Sequence, residues 1–221
     1  MNIILYNYFQ AFLHPFKFNG SLRNNREKEQ NKWDAENTLR LAEEGESRPE
    51  ALMGLSFVES VGVSWAFAIL RALYSFFGLW LGKYAVESMG FGGQNFDSKK
   101  IILIFQIGQV VFFPLMAWVY VKFWTLLIIF FGILYDREDK SSEIADEILV
   151  SSLSTNIFLA IPVLGGFLQK VSSLLFIFIG LRENMKLGTL QSLFVVISPI
   201  ILFFLILLFG ASAMMAIFQS F

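Results

Sequence analysis

The chain contains no cysteine, which excludes disulfides, thiol nucleophiles and any zinc or iron–sulfur site built on thiolates. It has one histidine, His14, beside Pro15. A catalytic or metal-binding imidazole needs partners, and none lies near it in the sequence. No Walker loop, zincin motif, nucleophile elbow or acidic metal-binding pair is present, and the glycines of residues 90–93, GFGG, have too little context to cradle a phosphate. No catalytic residue, metal ligand or cofactor is therefore expected, and the chain does not read as an enzyme. Charge is scarce too, at 16% of residues against about 25% in soluble domains.

What the chain has in excess is apolar surface: of 221 residues, 56% are hydrophobic and 17% aromatic, and the mean hydropathy is +0.61. A water-soluble fold of this composition would expose too much of it, because the polar residues are gathered in a few short segments. Lipid is the solvent that fits. The net charge of −1 conceals segregation, with nearly half of the charged residues between Lys17 and Glu50. That balance gives no argument for nucleic acid as a partner, and none is expected.

Residues 1–16 set Ile4, Leu5, Tyr8, Phe9, Phe12, Leu13 and Phe16 near one helical stripe, too short to cross a bilayer. Two readings fit: an interfacial amphipathic segment, or a piece packed against the rest of the protein. The stretch superficially resembles a signal peptide but lacks a basic n-region and a small-residue cleavage site, so it is expected to be retained. Residues 17–50 turn to mixed charges and amides and read as a polar cytoplasmic arm. Within it, residues 33–44 allow an amphipathic helix with Trp33, Leu39 or Leu41 on one side.

Residues 57–218 read as a membrane domain. The run 57–81 makes about 37 Å of helix, more than a hydrocarbon core of roughly 30 Å. Residues 101–135 exceed one crossing and fall short of two. The expectation is a crossing over 101–121, a belt of Trp118, Tyr120, Lys122 and Trp124 at its exit, and a continuation along the interface or packed against neighbouring helices. Residues 148–164 and 167–181 are short apolar arms joined by Gly165-Gly166. They read as a tight hairpin in which Pro162 ends or kinks the first arm and Lys170 carries its ammonium back to the near interface. Pro114 and Pro199 are expected to kink their spans. With 190–218 as the last crossing, the predicted fold is all-α, a polytopic bundle of about five transmembrane helices. If the N-terminus is inside, inner segments carry eleven Lys or Arg (seven in 17–48, two in 136–149, two in 182–189) and outer segments four. The positive-inside rule thus predicts N-terminus inside and C-terminus outside.

Ionisable groups within lipid are the candidates for function, since a charge at a helix centre costs about 2.5–3.5 kcal/mol or more. Arg71 lies too deep in its run to reach either interface, and Glu59 is on another face of the same helix. Gln106 and Gln109 share a face of the second span and are expected to hydrogen-bond Arg71. That contact reads either as a structural bridge fixing register or as the lining of a substrate or lipid path. Asn156, with Ser151, Ser152, Ser154 and Thr155, forms a second polar cluster, of a kind that more often glues helices than makes a site.

The stretch SSLSTNIFLAIPVLGGFLQKVSSLLFIFIGLRENMKLGTLQSLFVVISPIILF resembles the C-terminal half of the Yip (Ypt-interacting protein) family of small polytopic membrane proteins. The likeness rests on the Pro-Gly-Gly turn of Pro162, Gly165 and Gly166, on the loop of residues 180–189, GLRENMKLGT, and on their spacing. It is clearest over residues 140–213. The Asp-Leu-Tyr-Gly-Pro motif of the eukaryotic branch is missing, which removes the basis for GTPase binding and makes the bacterial branch the closer comparison. The resemblance implies a non-enzymatic protein of the bacterial cytoplasmic membrane, with the lipid bilayer, proteins docking on the arm and further copies of the chain as partners. A small transporter or channel, with Arg71, Gln106, Gln109 and Asn156 along its path, is the alternative.

Overall fold

The structure, a computed structural model, describes residues 3–39, 55–88, 97–136 and 141–219. Among these there are eight α-helices, one 3-10 helix and no strand, so the fold is all-α as expected. The chain begins with α1 (Ile3–Leu13) and α2 (Pro15–Leu39), which abut at His14. Backbone hydrogen bonds continue across the junction, from His14 to Gln10 (3.0 Å) and from Phe18 to His14 (2.9 Å). Residues 40–54 of the arm, with Leu41, and the GFGG stretch lie outside the described residues.

A capping box opens α3 (Phe57–Ser88). The Ser56 N–H donates to Glu59 Oε2 (2.9 Å), and the Glu59 N–H donates to Ser56 Oγ (3.2 Å), so two orphan donors at the helix start are satisfied reciprocally. The following apolar run is divided into α4 (Asp97–Val111) and α5 (Phe113–Leu134). Pro114 is the cause, since without an N–H it cannot bond the Val110 carbonyl. Trp65 Nε1 donates to that carbonyl instead, at 2.8 Å. The division corrects the expected crossing over 101–121: the helix long and apolar enough to span is Phe113–Leu134. The expected belt shifts with it, because Trp124 and Ile128 lie in the core and Tyr120 bonds Ser173 Oγ at 2.6 Å. Of the two readings for residues 125–135, along the interface or against neighbouring helices, the second describes Thr125, Ile128 and Phe131, whose side chains are buried.

After α5 come α6 (Ser141–Ser152), the 3-10 helix (Leu153–Ala160), α7 (Gly165–Glu183) and α8 (Thr189–Gln219). Four helices are long and apolar enough to cross a membrane: Phe57–Gly82, Phe113–Leu134, Gly165–Glu183 and Thr189–Ser212. Residues 148–164, expected as a further crossing, are built differently, as the end of α6 joined to the 3-10 helix. The reason is local. Ser151, Ser152, Ser154 and Thr155 each turn their hydroxyl onto the carbonyl three residues back at 2.7 Å, and Asn156 Nδ2 does the same at 2.9 Å. Such back-bonding competes with the regular helical ladder.

This segment is nevertheless the axis of the bundle. It runs antiparallel to α5, where Thr125 meets Asp146 (3.1 Å). It is antiparallel to α7 as well, with Asn184 opposite Glu147 and Gly180 opposite Ile148. Together α6 and the 3-10 helix rise about 34 Å, and Ala145, Ile148, Leu149, Leu153 and Leu159 are buried along them. The main core joins Trp124, Ile128 and Phe131 of α5 to Ile148 and Leu149 of α6, Ile177 and Leu181 of α7, and Val195 of α8. A second cluster packs Tyr8 and Ala11 of α1 against Leu55 and Val150. Tyr8 and Ala11 thus face the rest of the protein, while Ile3, Leu5, Tyr6, Phe9 and Leu13 of the same helix are exposed. Pro199 lies inside α8; Ser198 Oγ bonds the Val195 carbonyl (2.7 Å) that the proline leaves without an N–H partner.

Candidate functional site

Polar side chains in a lipid-facing bundle are informative because each must find a partner inside the protein. They gather in three places. The first is a spine around the carbonyl of Leu153, at the start of the 3-10 helix. It accepts from Tyr8 Oη (2.8 Å), Ser64 Oγ (3.1 Å) and Asn156 Nδ2 (2.9 Å), and the Tyr8 and Ser64 hydroxyls lie 3.0 Å apart. Tyr8, Ser64, Ser154 and Thr155 are fully enclosed, and burial pushes the Tyr8 phenol above its ordinary range. This spine ties α1, α3 and the 3-10 helix together. Within it, Asn156 Nδ2 is occupied by the backbone.

The second is a charged collar at the C-terminal end of α7. Arg26 of α2 hydrogen-bonds Asn184 Oδ1 and lies 3.5 Å from Glu147 Oε2, which also accepts from Asn184 Nδ2 at 3.2 Å. Arg23 Nη1 donates to the Glu183 carbonyl (2.8 Å), and Lys186 Nζ meets Glu27 Oε1 (3.0 Å). The loop that receives α2 is itself fixed. Lys186 takes a left-handed φ of 56°, Met185 and Leu187 are buried, and Gln191 Oε1 accepts from the Gly188 N–H at 2.9 Å to start α8. Burial raises the Glu147 carboxyl above its ordinary range, opposed by Arg26 and Asn184. Lys186 lowers that of exposed Glu27.

The third is the far end of α7. The chain turns through Ile161 to Leu164, and the left-handed residue there is Val163 (φ 63°) rather than either glycine. The glycines serve close approach instead. A Cβ on Gly165 would overlap the Phe158 carbonyl, and one on Gly166 would stand 3.2 Å from both Nη atoms of Arg71. Pro162 follows the 3-10 helix, its carbonyl accepting from the Leu164 N–H (2.7 Å).

The sequence-predicted residues are therefore spread out. Arg71 sits at Gly166; neither Gln106 nor Gln109 bonds it among the described residues, and the α3–α4 contact passes through Trp65 and Val110 instead. Asn156 belongs to the spine. Sequence reasoning missed Tyr8, Ser64, Arg26, Glu147 and Asn184, whose partners are 37 to 158 positions away. Among the described residues no three His, Asp or Glu side chains come together as metal ligands. Compared with known proteins, the chain matches no family model, no curated protein and no solved structure.

Proposed function

We propose that the chain is a non-enzymatic multi-pass protein of the type to which the Yip family belongs, and that it organises partner proteins or lipids in a bacterial cytoplasmic membrane through its N-terminal arm. The observation that carries this reading is the collar. The arm helix α2 is clamped by Arg23, Arg26 and Glu27 onto residues 183–186, the same loop on which the resemblance rests. It then continues to Leu39, about 18 Å past its last clamp. A polar helix that is anchored at Arg23, Arg26 and Glu27 and continues past them is suited to docking. The transporter reading has less support, because neither Gln106 nor Gln109 bonds Arg71 among the described residues and Asn156 Nδ2 is already bonded to the backbone.

The test uses the full-length chain in its membrane with a photo-crosslinkable residue at exposed position 28. A discrete protein or lipid adduct is expected, and it should vanish when residues 28–39 are scrambled. Identical adducts from both chains would remove the docking role.

A further inference from the structure

Among the described residues, two cations at the far end of α7 have no acidic partner. Arg71 is exposed on α3, and its guanidinium lies over Gly166, where the missing side chain makes room for it. Lys170, also exposed, is one turn further along α7 on the face of Gly166. Helical side chains lean over the turn N-terminal to their own Cα, which carries the Lys170 ammonium toward the guanidinium. Among the described residues neither cation enters an ion pair. The carbonyls of the adjacent turn are engaged elsewhere. Leu159 and Ile161 accept from Tyr74 Oη (2.6 and 3.2 Å), and Ile161, Pro162 and Leu164 accept backbone N–H groups. The surroundings are apolar and exposed: Leu70, Leu73 and Phe77 on α3, Phe167 and Val171 on α7.

Two like charges, one at Gly166 and one a helical turn beyond it, on an exposed apolar surface repel each other and are costly in hydrocarbon unless an anion joins them. The apolar side chains around them present the surface that acyl chains cover. We propose that Arg71 and Lys170 bind the headgroup of an anionic phospholipid, in the leaflet opposite the charged collar. Its phosphate bridges the guanidinium and the ammonium, and its acyl chains lie along α3 and α7. Arg supplies the planar donor fork and Lys the point charge that phosphate recognition uses. This site is at the other end of the bundle from the arm and does not depend on the docking role.

The full-length protein in bilayers with spin-labelled phosphatidylglycerol or phosphatidylcholine measures lipid selectivity directly. The anionic probe is expected to associate more with the unaltered chain, and Lys170→Gln should lower that preference by roughly fivefold or less, the worth of one basic group at a membrane surface. Combining it with Arg71→Gln should bring the ratio near one. Lys170 is exposed, so the single variant keeps the question decidable if the double variant does not fold. Equal association of the two probes with the unaltered chain overturns the proposal. So does a preference unchanged by Lys170→Gln, or one that disappears on scrambling residues 28–39 while surviving Lys170→Gln, which would assign the lipid to the collar side.

Discussion

Glu147 shows how one carboxyl can hold a structural joint against opposing forces. It stands one residue before the apolar run of the bundle axis. It faces Arg26 of α2, Asn184 at the end of α7 and Glu143 of its own helix. Burial disfavours its charge and Glu143 repels it, while Arg26 and the Asn184 amide favour it; burial wins, so the folded-state pKa lies above the ordinary 4.5. The sign of the consequence follows from linkage. A carboxyl with a raised folded pKa keeps its proton in the fold where the unfolded chain has released it. Its stabilisation is complete below about pH 4.5 and is lost as pH rises through the folded pKa. Glu147→Gln removes this titration. In thermal unfolding of the detergent-solubilised protein, the Tm of the variant minus that of the unaltered chain should increase between pH 4 and pH 7. A difference that decreases over that range would mean that the Arg26 pair outweighs burial. Glu27 works in the opposite direction, lowered chiefly by Lys186, but it is exposed and salt screens it.

At the scale of elements, the sequence was legible where one rule acted alone. Three of the long apolar runs became α3, α7 and α8 near their expected ends because length and hydropathy decide such helices. The second span was misplaced because one proline sets its start, and the rescue of Val110 by Trp65 comes from another helix. The run SSLSTN was visible as a polar cluster. Its conversion to a 3-10 helix is accompanied by hydroxyls that each turn onto a carbonyl three residues back, which composition does not reveal. The Arg71–Gln bridge failed because the glycine that receives Arg71 lies on α7, far along the chain. Gly180 has a similar hidden role, since a Cβ there would stand 2.6 Å from Ile148 Cγ2, and Ile148 is fully buried with no room to yield. Gly180→Val should therefore destabilise the α6–α7 contact by about 1–3 kcal/mol, as overpacking does. Ile148→Ala in the same chain should recover part of that loss, measured as coupling in a double-mutant cycle of unfolding. Additive losses would mean that the two positions do not share the contact.

For the whole molecule the decisive quantity is how often the chain crosses the bilayer. Length and composition single out four helices, and four crossings would bring both ends of the membrane domain to one side. The pairings point to one more. Because α6 and the 3-10 helix run antiparallel to both neighbours, the chain returns across the bundle between α5 and α7. It does so on a segment too polar and too short in either part to be recognised as a span. Hydrocarbon would tolerate such a crossing because Ser151, Ser152, Ser154 and Thr155 are buried among the surrounding helices. The absence of cysteine makes this testable without altering any native thiol. Ser142, exposed at the start of α6, and Val163, 96% exposed at the turn before α7, are the two ends of the disputed stretch. Single Ser142→Cys and Val163→Cys chains in sealed, oriented vesicles should react with a membrane-impermeant maleimide from opposite sides, and Gly188→Cys, in the collar loop, from the same side as Ser142→Cys. Labelling of positions 142 and 163 from one side, with position 188 from the other, would reduce the count to four and leave α6 and the 3-10 helix as a re-entrant insertion.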